Sequence, residues 1–268
     1  MRRTTTLKVV VLGANGRMGT EVLKALVREP DLQAVGAVDR NPKPNHFHLP
    51  ENGGEIPYST ELEEILTLTK PQVLVDFSTA EATRKAVPIA CRHKVNLVIG
   101  TSGLNAEDIT HFEHLVSEHG MGAVVAPNFA LGAVLLIHLS QIAAMHFDYA
   151  EITETHHYQK KDAPSATAIA TARAMVEARG RPFDYPPLET ENLKGARGGE
   201  LGGVAIHSLR LPGTMAHQEV LLGAPGQTLS LRHDAISREC YMPGVLLAVR
   251  QVVGIKGLCY GLDKLLGL

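Results

Sequence analysis

The sequence predicts an α/β protein in two parts: an N-terminal doubly wound parallel sheet, and an α+β C-terminal domain with a mixed or antiparallel sheet. Three observations predict it. Short unbroken apolar runs alternate with helical patterns through the first half, as strands buried on both faces require. A glycine-rich turn follows the first run, and beyond about residue 128 strands separated by tight turns take over. At 268 residues the chain exceeds the usual size of one core, so the expected division is 1–128, completed by 239–268, against 129–238.

The first run, at 7–12, follows a basic start, but glycines come at once where a cleavage site would have to lie, so this start reads as a strand and not a secretory leader. Runs at 34–38, 73–77, 97–99 and 123–126 extend the parallel sheet. Between them, 18–27 places apolar residues at 18, 22, 23, 26 and 27, and 81–93 and 106–119 also read as helices, with Pro88 a site for a kink in the former. In the second part, 131–144 is an apolar helix, 149–155 a strand, and 166–179 an alanine-rich helix stopped by Gly180. RGGELGG at 197–203 reads as a mobile loop. Strands follow at 204–211, 218–222 and 228–233, separated by LPGT and GAPG turns. Helices around 244–253 and 258–266 close the chain and can pack on either domain.

Composition excludes several classes of partner. A net charge of -2 offers no concentrated basic face, so neither nucleic acid nor a membrane surface is expected, while a small anionic substrate needs only a local cluster. No apolar run approaches the roughly 18 residues of a membrane span. Cys91, Cys240 and Cys259 form no CxxC pair, which argues against a disulfide framework or zinc knuckle and fits a reducing cytoplasm.

GANGRMG, from Gly13 through Ala14, Asn15, Gly16, Arg17 and Met18 to Gly19, joins the first strand to the first helix, in the manner of a Rossmann-type dinucleotide site. Its glycines let the backbone approach a pyrophosphate, although the GxxGxxG spacing also suits a plain tight turn. Asp39, twenty residues after Gly19, can accept the ribose hydroxyls of NAD, and Arg40 can pair with the 2′-phosphate of NADP. The expected cofactor is therefore NADH or NADPH. Gly100-Thr101-Ser102 and Ala126-Pro127-Asn128-Phe129 lie at later strand ends, where they either frame the nicotinamide carboxamide or form ordinary turns.

The most specific segment runs from Glu154 to Ala168, ETHHYQKKDAPSATA. Pro164 suits a helix's first turn, and Ser165, Ala166 and Thr167 bring hydroxyls and backbone amides to its amino end. With the Lys160 ammonium and the His157 imidazole they form an anion clamp, which leaves His156 to act as a general acid near neutral pH. Blander readings exist: the histidines as surface polar residues, Lys160 and Lys161 as a solvated pair, or a Schiff-base lysine, which a hydride donor makes unnecessary. Neighbouring strand residues point to opposite faces, so His156 and His157 do not chelate one metal, and no metal is expected.

HHYQKKDAPSATA resembles the HHxxKxDAPSGTA signature of the dihydrodipicolinate reductase family, and GANGRMG, GTSG, APNF, HSLRLPG and the SR at Arg238 occur in that family's order. The resemblance implies reduction of 4-hydroxy-tetrahydrodipicolinate, a small dicarboxylate, to tetrahydrodipicolinate in lysine and diaminopimelate biosynthesis. It further implies His156 as proton donor, Lys160 as the residue stabilising substrate and transition state, His157 as a substrate ligand, the backbone of Ala166 and Thr167 as a carboxylate site, and a homotetramer. One departure is Ala166, where the family usually has glycine. Helical angles there make alanine harmless, and these are expected; a positive φ would impair substrate binding.

Cofactor and substrate sites on different domains would close about hinges near Asn128 and Arg238. Two rival readings are another two-domain dehydrogenase, acting on aspartate or homoserine, and a non-catalytic protein that senses NAD(P).

Overall fold

A computed structural model describes residues 6–40 and 46–268; the basic start at 1–5 lies outside the described residues. Backbone contacts divide the chain into Met1–Ala130 with Tyr241–Leu268 as one unit, and Leu131–Cys240 as the other.

The first unit begins with β1 (Leu7–Leu12), whose Val9, Val10 and Val11 are fully buried, as a strand covered on both faces must be. It continues through α1 (Arg17–Arg28), β2 (Leu32–Val38), β3 (His46–His48), β4 (Glu55–Ser59) and α2 (Leu62–Thr69). Then come β5 (Val73–Asp76), α3 (Ala80–Arg92), β6 (Asn96–Ile99), α4 (Ala106–Glu118) and β7 (Gly122–Val125). Pro88 lies inside α3 without ending it.

The second unit comprises α5 (Leu131–Ala144), β8 (Tyr149–His157), α6 (Ala166–Arg179), β9 (Gly199–Leu201), β10 (Val204–Leu211), β11 (Ala216–Ala224) and β12 (Gln227–Ala235). The chain then returns to the first unit as α7 (Met242–Val252), β13 (Gly257–Tyr260) and α8 (Leu262–Leu266).

The first sheet has the order β13-β7-β6-β5-β1-β2-β4-β3, with β3 antiparallel to β4 and the other pairs parallel. β1 is flanked by β2 on one side and β5 on the other, so the chain leaves it in one direction and later returns on the opposite side. That reversal places a crevice at the carboxyl end of β1, where such sheets bind ligands. Phe112, Leu66, Leu97 and Ile99 fill the core beneath.

The second sheet has the order β12-β11-β8-β10-β9 and is mixed: β8 and β10 run parallel and the remaining pairs antiparallel. Ile152, Val220, Leu222 and Val204 on one face pack with Met175 and Ala172 of α6 and Leu136 of α5. The opposite face leaves Tyr149, Leu209, Leu211 and Leu221 exposed.

Three segments differ from the sequence-based expectation. β8 runs two residues further, through His157, because β10 and β11 supply partners that far, pairing Leu211 with His157 and Ala216 with His156. The expected loop at 197–203 contains β9, which turns into β10 through Gly202 and Gly203 at φ 60° and 82°, the positive angles of a two-residue hairpin. The expected helix at 258–266 is half strand: β13 pairs Leu258 with Ala123 of β7, and only Leu262–Leu266 is helical. β3, β4 and α2 are additional to the elements that the sequence predicts.

Candidate active site

The glycine turn occupies the crevice beyond β1. Gly13 takes φ +81°, and a side chain there would meet the Phe77 carbonyl oxygen at 3.0 Å. A Cβ at Gly19 would lie 2.1 Å from the Gly13 carbonyl oxygen, so only glycine lets α1 start this close to the turn. The amides of the turn are unequal. Gly13 and Ala14 donate to Val38 O at 2.9 and 3.3 Å, Asn15 to Asp39 Oδ2 at 3.0 Å, and Gly16 to Gly13 O at 2.9 Å. The amides without an intrahelical partner by position are those of Arg17, Met18 and Gly19, in the first turn of α1. That turn carries no acidic residue and no side-chain cap, which suits an anion.

Asp39 follows β2, half-buried, with Arg40 exposed beside it and the Arg40 amide donating to Asp39 Oδ1 at 2.8 Å. A cavity of about 220 Å³ is lined by Gly13, Gly16, Asp39, Arg40, Phe77 and Ser78. Tyr58, on the unforeseen β4, receives a hydrogen bond from the Asn15 side chain.

Further along the sheet edge, Gly100 faces the Phe77 ring so closely that a Cβ would approach it to 2.1 Å, and Phe77 meets Phe129 edge-on at 5.7 Å. The two later strand ends therefore converge. Ala126 and Phe129 are buried, whereas Ser102 and Pro127 are exposed and Thr101 and Asn128 half-buried. Under them lies Asp76, 1% exposed, accepting from Ser78 N and Oγ at 2.8 and 2.5 Å, Thr83 Oγ1 at 2.7 Å and Thr101 Oγ1 at 3.2 Å. Burial pushes its carboxyl upward against those donors.

In the second unit, the pleat of β8 turns Glu154 and His156 to one side and His157 to the other. Glu154 is fully buried and saturated: His156 Nδ1 lies 2.5 Å from Oε2, the Arg210 guanidinium at 2.8 and 2.9 Å, and Ser165 N 3.2 Å from Oε1. Burial alone would raise its carboxyl, but the hydrogen bonds from His156, Arg210 and Ser208 outweigh that and hold it at about 2. Arg210 also donates to the carbonyl of Asp162 at 2.6 Å, which ties β10 to the loop after β8. In that loop Lys160 Nζ lies 2.8 Å from both carboxylate oxygens of Asp162.

Ser165 caps α6, its hydroxyl accepting from Ala168 N at 3.1 Å, and it is buried. The hydroxyl thus serves as helix cap through a lone pair and keeps its own O–H as a donor. The first-turn amides of Ala166 and Thr167 remain, and Ala166 is exposed. Ala166 is not among the positive-φ residues, so the alanine takes helical angles without strain. His157 Nδ1 is buried without a hydrogen-bond partner among the described residues. His156, Lys160 and the α6 amino end are linked through Glu154, Arg210 and Asp162, none of which sequence reasoning assigned a role. The available signals were the i, i+2 spacing of Glu154 and His156 and the arginine inside HSLRLPG.

Comparison with known proteins places the chain. Residues 7–129 match the family model described as dihydrodipicolinate reductase, N-terminus, and 132–266 the one described as dihydrodipicolinate reductase, C-terminus. A 4-hydroxy-tetrahydrodipicolinate reductase of Dehalococcoides mccartyi is 54% identical, over 98% of this chain and 100% of the relative. One from Bacillus velezensis is 44% identical, over 97% and 98%. Among solved structures, a dipicolinate-bound dihydrodipicolinate reductase from a Paenisporosarcina species superposes with a TM-score of 0.87 at 36% identity, covering 97% of this chain and 99% of that one.

Proposed function

This chain belongs to the dihydrodipicolinate reductase family, and from that premise we propose how its residues divide the work. The protein is an NAD(P)H-dependent oxidoreductase that reduces 4-hydroxy-tetrahydrodipicolinate to tetrahydrodipicolinate, a step towards lysine and diaminopimelate. The bound nicotinamide supplies the hydride.

The crevice beyond β1 fits a dinucleotide, because Gly13 and Gly19 have no room for side chains and the α1 amino end is uncapped. The Arg17 and Met18 amides meet the pyrophosphate, and Asp39 keeps lone pairs for ribose hydroxyls after serving Asn15 and Arg40. Arg40, exposed at the rim, accepts the 2′-phosphate of NADPH, so both cofactors serve. The ends of β6 and β7, from Gly100 to Ser102 and Ala126 to Phe129, border the carboxamide.

The observation that carries the substrate assignment is the cluster of Lys160, Arg210 and the α6 amino end around His156. Lys160 exchanges Asp162 for a substrate carboxylate, and the Ala166 and Thr167 amides with the Thr167 hydroxyl take carboxylate oxygens. His157, whose Nδ1 has an unmet hydrogen bond, is a further ligand. His156 delivers the proton that balances hydride addition. Dipicolinate, the ligand named for the Paenisporosarcina relative, is likewise a dicarboxylate. The exposed apolar face of the second sheet supports self-association as a homotetramer, and a biosynthetic enzyme whose described helices include none long and apolar enough to cross a membrane suits the cytoplasm.

Mixing the purified protein with NADPH and freshly generated 4-hydroxy-tetrahydrodipicolinate tests the reading. Cofactor oxidation dependent on both components is expected, and no turnover at any pH rejects it.

A further inference from the structure

We propose that Glu154 is the positioning residue behind the proton donor: its carboxylate takes the Nδ1–H of His156, so that the transferable proton sits on Nε2. The inference rests on the reading of His156 as proton donor and goes one residue further back, to a group whose role the reaction itself does not require.

Three features of the second unit lead there. First, the strand period sets Glu154 and His156 on one face of β8, with Nδ1 only 2.5 Å from Oε2, whereas Nε2 has no bond to the carboxylate. Second, the parallel register sets Arg210 opposite His156, and its two terminal nitrogens grip both carboxylate oxygens at 2.9 and 2.8 Å while Ser165 N adds a third donor at 3.2 Å. Third, Glu154 has no exposed surface, so water cannot replace any of these partners.

The consequence follows from donor and acceptor chemistry. A carboxyl surrounded by a guanidinium fork and a backbone amide stays ionised, and an ionised carboxylate only accepts. Nδ1 must then be the donor, which fixes the tautomer that the bare distance leaves open. Burial pushes the Glu154 carboxyl upward, but these hydrogen bonds hold it down at about 2, in keeping with this geometry.

Arg210 has a definite part in the arrangement. Without it, burial would favour the neutral acid, and Glu154 could return a proton to Nδ1 and blur the tautomer. With it, the carboxylate and guanidinium cancel and the imidazolium carries the one mobile charge. In the transfer, the Nε2–H bond breaks, its electron pair stays on Nε2, the proton passes to the substrate, and Nδ1–H remains on Glu154. Water restores the Nε2 proton afterwards.

A residue that merely held Arg210 in place would leave the imidazole tautomer indifferent, so the tautomer is the measurement. In the full-length protein with ¹⁵N-labelled histidine, the His156 resonances are assigned by their loss in His156→Gln. In alkaline buffer, neutral His156 is expected with Nδ1 protonated and Nε2 bare. In Glu154→Gln the carboxamide can face the ring with oxygen or nitrogen, so the other tautomer appears. There kcat falls about 10- to 100-fold, part of the 10²- to 10⁴-fold that a general acid contributes, while the KM for NADH is unchanged. A wild-type His156 with its neutral proton on Nε2 overturns the proposal, and so does a folded Glu154→Gln variant with unaltered kcat. If that variant does not fold, the wild-type spectrum decides alone. Full turnover by His156→Gln rejects the proton-donor reading itself, a result separate from the tautomer.

Discussion

Lys160 Nζ lies 2.8 Å from each carboxylate oxygen of Asp162, two residues further along the same loop. The ammonium thus rests on an internal carboxylate, and the proposed clamp requires Lys160 to exchange it when the dicarboxylate arrives. Asp162 is exposed and Lys160 half-buried, so the pair is partly screened by solvent and the exchange costs little. Replacing Lys160 with methionine keeps the stem and removes the charge. Because a hydrogen bond to a charged group contributes about 1.5–3 kcal/mol, KM for the dicarboxylate should rise roughly 10- to 100-fold, with the dissociation constant for NADH unaffected. Steady-state kinetics at fixed saturating NADH checks this, and an unchanged KM removes Lys160 from the clamp.

The glycine turn yields a prediction about the other unit. Gly19→Ala places a methyl carbon 2.1 Å from the Gly13 carbonyl oxygen, a backbone atom that cannot swing aside. The start of α1 must move away from the turn, taking the Arg17 and Met18 amides with it. NADH and NADPH should both bind about 10-fold more weakly or worse, by fluorescence titration, while the second unit keeps its fold. Affinity within about twofold of wild type would place the pyrophosphate elsewhere.

The role proposed for Arg40 distinguishes the two cofactors. Its side chain is exposed and its amide is engaged by Asp39 Oδ1, so replacing it with alanine leaves the turn intact. NADPH affinity should fall roughly 10-fold and NADH affinity hardly at all, since only the former has a 2′-phosphate to pair with a guanidinium. Equal losses for both would show that Arg40 acts through the adenosine or the loop.

How far these sites were legible depends on how local their signals are. The GANGRMG turn and the DAPSATA helix start announce themselves because the residues that matter are contiguous and their roles are backbone roles. Glu154 and Arg210 are 56 residues apart and meet only through the parallel register of β8 with β10, which the sequence does not display. The Ser165 hydroxyl reads equally as ligand or cap until its partner is seen. The sequence of β13 does not distinguish strand from helix, because a four-residue apolar run has no usable period, and pairing with β7 decides it. β9 was hidden by glycines that a hairpin with positive φ requires.

The same buried carboxylate that orients His156 also makes the second unit sensitive to acid. Burial pushes the Glu154 carboxyl upward, but His156, Arg210 and Ser208 hold it at about 2, below the ordinary glutamate range. The folded chain therefore binds fewer protons than the unfolded chain once the pH drops into that range. Stability from Glu154 is fully present above it and drains away as the pH falls towards 2. Thermal unfolding of the wild type should accordingly lose more, between about pH 5 and pH 2, than that of Glu154→Gln, which has no such proton to gain. The variant begins less stable at neutral pH, because Arg210 is left without its carboxylate, and the two curves converge on acidification. Curves that stay parallel over this window would mean that the carboxyl titrates in the native protein as it does in the unfolded chain, so that His156 and Arg210 do not hold it down.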